Sequence, residues 1–236
     1  MIRVKTQTVS VIIPTLQEEN YIQKLLSNLQ KVTTPIEIIV VDGGSSDKTV
    51  EIARRFTDRV YSIRKRGISA GRNYGAKHAH GDILVFLDTD VIFPLDFVEK
   101  TKKVFEESTV VGATCSIMPS HFKLDATLFF YFYNKLLKLF TKIKPHSRGE
   151  FFAARKSAFL YVKGFDETMP VLEDHDLAIR LSKLGKFVFI PNLTVYESLR
   201  RIEKLGFWRV MGTWLINYIS LMLRGKPISK VWQPIR

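Results

Sequence analysis

The sequence predicts an α/β protein, a mostly parallel β-sheet flanked by helices. In its first half, apolar runs of strand length alternate with segments whose apolar residues recur at helical spacing. Polar residues gather where those runs end, as they do at the ligand-facing edge of open parallel sheets. A hydrophobic content of 46% over 236 residues allows a substantial core.

The elements follow in order. "VSVII" (9–13) reads as a buried strand. "ENYIQKLLSNLQKV" places Ile22, Leu25, Leu26 and Leu29 on one helical face. "IEIIVV" (36–41) is a second strand, ended by "DGGSSDKT", where Ser46 or Asp47 can cap the helix "KTVEIARRF". "RVYSI" (59–63) is a short third strand, and "SAGRNYGAKHAHG" is a helix stopped at Gly81. "DILVFLD" (82–88) is the fourth strand. Beyond it come a helix in "DFVEKTKKVFEE", a strand in "VVGATCSIM" and an aromatic, basic helix in "DATLFFYFYNKLLKLFTKIK". "GEFFAARKSAFLYVKGF" reads as a strand and a short helix, "EDHDLAIRLSKLG" as a helix closed by Gly185, and "KFVFIP" as a last strand. No repeat or linker divides the chain. One domain is expected over 1–200, followed by a basic amphipathic helical segment over 201–236 that packs on the domain or lies at a membrane surface.

The formal net charge is +13, which favours anionic partners: phosphorylated small molecules, an acidic membrane or nucleic acid. No nucleic-acid motif such as an RRM signature or zinc finger is present, so no nucleic acid is expected. The single cysteine, Cys115, excludes an internal disulfide and a Cys-based zinc site, and fits a reducing cytosol. The opening "MIRVKTQTVSVIIP" has no long apolar core, so no signal peptide is expected. "FWRVMGTWLINYISLML" carries Arg209 and Asn217 and is marginal for spanning a bilayer.

Several polar residues converge at the strand ends. Pro14, Thr15 and Glu18 follow the first strand, Asp42 the second, and Asp88 and Asp90 the fourth. "DTD" is either an Asx-capped turn or a carboxylate pair for Mg²⁺ or Mn²⁺, hard ions that share oxygen ligands with phosphates. "DGGSSDKT" is either a glycine-rich turn or a nucleotide-contacting loop; it has neither the P-loop ending nor GxGxxG. Three carboxylates in "EDHD", read from the residues alone, serve the dipole of a helix start. His78 and His80 sit near a helix end and face solvent; His121, His146 and His175 have no metal-ligand spacing.

As an ordered set, "VSVIIPTLQEEN", "IIVVDGGSSDKTVEIA", "GRNYGAKHAHGDILVFLDTDV", "GEFFAARKSAFLYVKGFDE" and "EDHDLAIRLSKLG" resemble the inverting nucleotide-sugar glycosyltransferases of family 2. The resemblance spans residues 8–200 and implies a GT-A-type, Rossmann-like fold. It implies a donor site of Pro14, Thr15, Glu18 and Asp42, with Arg72 and Asn73 nearby. It makes "DTD" the metal-binding Asp-x-Asp motif, with Asp90 the principal ligand of Mg²⁺ or Mn²⁺ and Asp88 contacting the ribose and a metal-bound water. It makes Asp174 the base that deprotonates an acceptor hydroxyl. Many relatives carry a histidine after the last strand; here "VYESLRR" stands there, and Glu197 is the expected third ligand. The Gln-x-x-Arg-Trp motif of processive synthases is absent, so one transfer per encounter is expected.

The expected activity is metal-dependent, inverting sugar transfer from a nucleoside-diphosphate sugar to an acceptor hydroxyl. The alternative is a basic, non-catalytic module for anionic lipid or nucleic acid with a vestigial site. Two segments mix aromatics with basic residues and point to an anionic membrane surface, hence to a lipid-linked or membrane-proximal acceptor. One joins Phe129, Phe130, Phe132 and Leu136 with Lys135, Lys138, Lys142 and Lys144; the other joins Phe207, Trp208 and Trp214 with Arg200, Arg209, Arg224 and Lys230. The expected location is cytoplasmic, peripheral on the inner face of the cell membrane.

Overall fold

The computed structural model describes residues 7–64, 67–141 and 143–229. Lys142 and Lys230 lie outside the described residues. The frame is a seven-stranded sheet in the order β3-β2-β1-β4-β6-β5-β7. The parallel strands β1 (Val9–Thr15), β2 (Ile36–Asp42), β3 (Val60–Ser62) and β4 (Ile83–Leu87) form one half. In the other half β5 (Val110–Pro119) and β7 (Lys186–Glu197) pair in parallel, and β6 (Phe151–Arg155) runs antiparallel between β4 and β5.

Side-chain alternation along each strand feeds two core layers. On β1, Val9, Val11 and Ile13 pack with Ile22, Leu25, Leu26 and Leu29 of α1 (Glu19–Leu29), while Ile12 faces the opposite layer. The first layer also takes in α2 (Thr49–Ala53), α4 (Phe97–Phe105), α5 (Leu124–Phe140), α8 (Arg200–Leu205) and α9 (Phe207–Arg224). The second covers the other face with α3 (Ile68–His78), α6 (Lys156–Tyr161) and α7 (Glu173–Ser182). Cys115 is buried in the first layer and free.

Two differences from the sequence reading matter for the site. The last strand does not stop at Pro191 but runs to Glu197. Its register against β5 slips between Thr114 and Ser116, and Asn192 has φ 57°, so Pro191 sits in a bulge rather than at a strand end. The antiparallel β6 pairs Phe151 with Leu87, which brings the residues before β6 to the carboxyl edge of β4. That edge therefore gathers Thr15, Asp42, the segment after Leu87, the segment before Phe151, and Glu197.

Candidate active site

Thr15 closes β1 opposite Asp42 on β2. Its hydroxyl is buried and has no hydrogen-bond partner among the described residues, a costly state that a bound polar group would relieve. Gln17 follows in the left-handed region, φ 55°, a conformation that bulky side chains resist and that marks a shaped loop. Glu18 stands at the N-cap of α1, with its amide donating to the Thr49 hydroxyl at 2.8 Å. Asp42 is buried at the predicted place, but its carboxylate is engaged within its own loop. It accepts from the amides of Gly44 and Ser45 at 2.9–3.2 Å and from the Ser45 hydroxyl. Asp42 thus shapes the "DGGSS" turn rather than presenting a free carboxylate.

Asp88 and Asp90 stand where β4 leaves the core. Burial pushes Asp88 up to about 7; Arg72 opposes this, and the Glu150 and Asp90 charges add to it. Burial also raises Asp90, against the pull of Arg200. Two carboxylates raised by burial and by neighbouring carboxylates welcome a cation, and their hard oxygen donors suit Mg²⁺ or Mn²⁺. Arg200 supplies positive charge there, with Nε 3.0 Å from Asp90 Oδ2. Its two terminal nitrogens grip Glu18 at 2.8 and 2.9 Å, and its plane lies 4.7 Å from the centre of the Tyr21 ring.

Arg72 is fully buried and joins two stretches of chain. Nη2 donates to Asp88 Oδ1 at 2.8 Å and to the Gly149 carbonyl at 3.0 Å; Nη1 donates to Glu173 Oε1 at 2.9 Å. A Cβ at position 149 would stand 2.6 Å from Nη2, so glycine there makes room for the guanidinium. Glu173 opens α7 after Leu172, which is itself left-handed at φ 62°. Asp174 comes next, 8% exposed, with Oδ1 accepting from the His175 amide at 2.8 Å and the His175 ring Nδ1 at 2.9 Å. Asp176 is turned to Arg180, 2.7 Å away, and does not enter the cluster. Asn73 is not with Arg72 either: its amide is engaged by the Phe165 backbone in both directions and by Glu167.

Glu197 ends β7 near Asp90, where its carboxyl is engaged by other side chains. Its carboxyl is tied to Arg148 Nη2 at 2.5 Å and shares a hydrogen bond with Glu150. Burial holds Glu197 well above the carboxylate range, whereas Arg148 and the Glu197 hydrogen bond keep Glu150 ionised against the same burial. Among the described residues no group of three or more His, Cys, Asp or Glu side chains is arranged to enclose a metal. A two-carboxylate site of this kind leaves coordination positions for water and substrate phosphates. Arg148 and Glu150 are absent from the sequence reading. Their signal is the charged pair around Gly149 in "SRGEF", just before an apolar run. Arg148 also lies over the rings of Phe130, Tyr133 and Trp214 at 4.7–5.7 Å, which ties α5 and α9 to the carboxylate cluster.

The histidines divide. His80 is exposed beside Glu37, and His121 is exposed beside Glu203. His78 is only half-exposed, because its ring stacks on Tyr74. His146 and His175 are buried with ring centres 5.2 Å apart.

A mostly parallel α/β sheet with paired carboxylates at its carboxyl edge defines a GT-A-like protein. Residues 10–162 match the family model described as glycosyl transferase family 2, and the chain belongs to that family. The succinoglycan biosynthesis protein ExoA of Rhizobium meliloti (strain 1021) is 28% identical over 225 residues, covering 86% of this chain and 66% of that protein. The dolichol-phosphate mannosyltransferase of Pyrococcus furiosus is 27% identical over 234 residues, 85% of this chain and 64% of that protein. The mannosyltransferase PcManGT from Pyrobaculum calidifontis, solved with GDP-Man and Mn²⁺, has the same fold. It superposes with a TM-score of 0.76 at 24% identity over 94% of this chain and 65% of that one. The chain thus spans just under two-thirds of the length of these relatives.

Proposed function

We propose that the protein transfers a sugar from a nucleoside-diphosphate sugar to an acceptor hydroxyl in a single inverting displacement. The observation that carries this reading is the Arg72 bridge. One buried guanidinium binds Asp88 and Glu173, so the Asp-x-Asp end of β4 and the start of α7 share one edge. A leaving diphosphate and a base for the attacking hydroxyl need that proximity.

In this reading the donor lies across the ends of β1, β2 and β4. Thr15, with its unpartnered hydroxyl, and Pro14 and Glu18 beside it border the nucleotide, and Asp42 shapes the loop that follows β2. Asp88 and Asp90 would hold Mg²⁺ or Mn²⁺, which when bound neutralises charge on the departing diphosphate. Arg200 adds a fixed positive charge beside Asp90. Asp174 takes the proton of the acceptor hydroxyl as that oxygen attacks the anomeric carbon from the face opposite the diphosphate. Catalysis is positioning plus charge stabilisation.

The acceptor is read as lipid-linked or membrane-proximal, and the protein as peripheral on an anionic membrane face. α5 and α9 pack side by side, with the Phe129 ring against those of Phe207 and Trp214. Their outer surfaces carry exposed Leu128, Phe132 and Leu136 on α5, and Trp208, Leu215 and Leu223 on α9. Exposed Lys135, Lys138 and Arg209 lie among them. Apolar side chains among basic ones suit a helix pair lying in the headgroup plane. Among the described residues no helix is long and apolar enough to cross a membrane. The relative that acts on dolichol phosphate, by its name, supports this choice of acceptor.

The test is thermal stabilisation by UDP-glucose, UDP-GlcNAc and GDP-mannose, each with and without Mn²⁺, followed by the anomeric configuration of the product. Stabilisation that depends on Mn²⁺, and an inverted anomer, are expected. No stabilisation by any nucleotide sugar would favour the non-catalytic, anion-binding reading.

A further inference from the structure

We infer that His175 is a positioning residue for Asp174, holding one carboxylate oxygen so that the other is left to receive the acceptor's proton. The inference rests on the reading of Asp174 as the base. Asp174 Oδ1 accepts two hydrogen bonds from His175, from the backbone amide at 2.8 Å and from ring Nδ1 at 2.9 Å. An ionised carboxylate only accepts, so the Nδ1 proton belongs to His175 and the tautomer is set. With Oδ1 doubly occupied and the whole group 8% exposed, Oδ2 is the oxygen left for an incoming hydroxyl.

The ring cannot easily turn away. His146 stands edge-on to it at 5.2 Å and 77°, and Tyr218 of α9 stands at 6.1 Å. That wall is itself hydrogen-bonded. His146 Nδ1 donates to the Lys144 carbonyl at 2.6 Å, which leaves Nε2 to accept from the Tyr218 hydroxyl. Segment 144–146 and α9 thus back the residue that orients the base. A buried histidine beside a carboxylate also has a plain packing role, and the experiment separates the two.

The full-length protein is assayed for Mn²⁺-dependent release of nucleoside diphosphate from UDP-glucose, UDP-GlcNAc and GDP-mannose. The variants are Asp174→Asn, His175→Phe, His175→Asn and His175→Gln. An asparagine amide N–H stands near the place of Nδ1, whereas a glutamine amide reaches the place of Nε2. His175→Phe and His175→Gln are expected to lower kcat by about 10²-fold, the cost of a misplaced reacting group, with KM for the donor unchanged. His175→Asn is expected to stay within about threefold of the wild type in kcat, because it keeps the donated hydrogen bond. Should the Phe variant fail to fold, the contrast between Asn and Gln carries the same test. If Asp174→Asn abolishes turnover while His175→Gln keeps it, the inference is wrong and the base stands. Equal losses in His175→Asn and His175→Gln overturn it in favour of packing. Full turnover in Asp174→Asn removes the base, and the inference with it.

Discussion

Arg200 and Glu18, 182 residues apart, form a two-pronged ion pair at 2.8 and 2.9 Å. The same guanidinium reaches Asp90 at 3.0 Å, so the first turn after β7 closes over the end of β1 and the Asp-x-Asp motif together. Paired, hydrogen-bonded charges of this kind tolerate partial burial; a lone one does not.

Removing Arg200 should therefore destabilise the ligand-free protein. Arg200→Ala leaves Glu18 and Asp90 uncompensated, and a loss of about 1–3 kcal/mol is expected in chemical denaturation. Added Mn²⁺ should restore part of it, because a cation held by Asp88 and Asp90 would balance the Asp90 charge. A variant as stable as the wild type without metal would show that the pair contributes nothing net.

Stability should also fall in mild acid, through His146. Burial and the neighbouring His175 charge push His146 down to about 4, against 6.5 for a free histidine. The unfolded chain then binds more protons between those values. This contribution is full above about pH 6.5 and is lost as pH falls toward about 4. Denaturation midpoints at pH 5 and pH 7.5 should differ less in His146→Gln than in the wild type. Equal differences would mean that His146 titrates normally.

The proposed membrane surface is the outer face of α5 and α9, and Trp208 is its most telling residue. It is 82% exposed, whereas its neighbour Phe207 is 9% exposed and belongs to the core. Co-sedimentation with anionic liposomes should weaken as salt rises and drop in Trp208→Ser. Phe207 is no test of the surface, because its substitution would cost core packing. A protein that stays in the supernatant with anionic liposomes at low salt would turn the search toward a soluble acceptor.

Much of this was legible in the chain. Apolar runs and helical spacing located the strands and the major helices, and Asp88 and Asp90 stood out because they interrupt an apolar run, whereas Asp174 was singled out only by the family resemblance. The roles of Arg72 and Asn73 were not local. They lie side by side on α3, yet one turns to Asp88 and Glu173 and the other to Phe165. Strand order was hidden for the same reason. Nothing in "FFAAR" says that it inserts antiparallel between β4 and β5, although that insertion brings Arg148 and Glu150 to the edge. What engages Asp42 and Glu197 was not legible in the chain: one is held by its own turn, the other by Arg148 and Glu150.

In the proposed reading, the end of β4 holds a metal ion for a nucleotide sugar. Calorimetric titration of UDP-glucose, UDP-GlcNAc and GDP-mannose into the wild type and Asp90→Asn, with and without Mn²⁺, tests it most directly. The asparagine keeps the shape of the side chain and removes its charge, so the fold should persist. Mn²⁺ should strengthen donor binding to the wild type and have little effect on the variant. Donor binding with the same Mn²⁺ dependence in both proteins would contradict it.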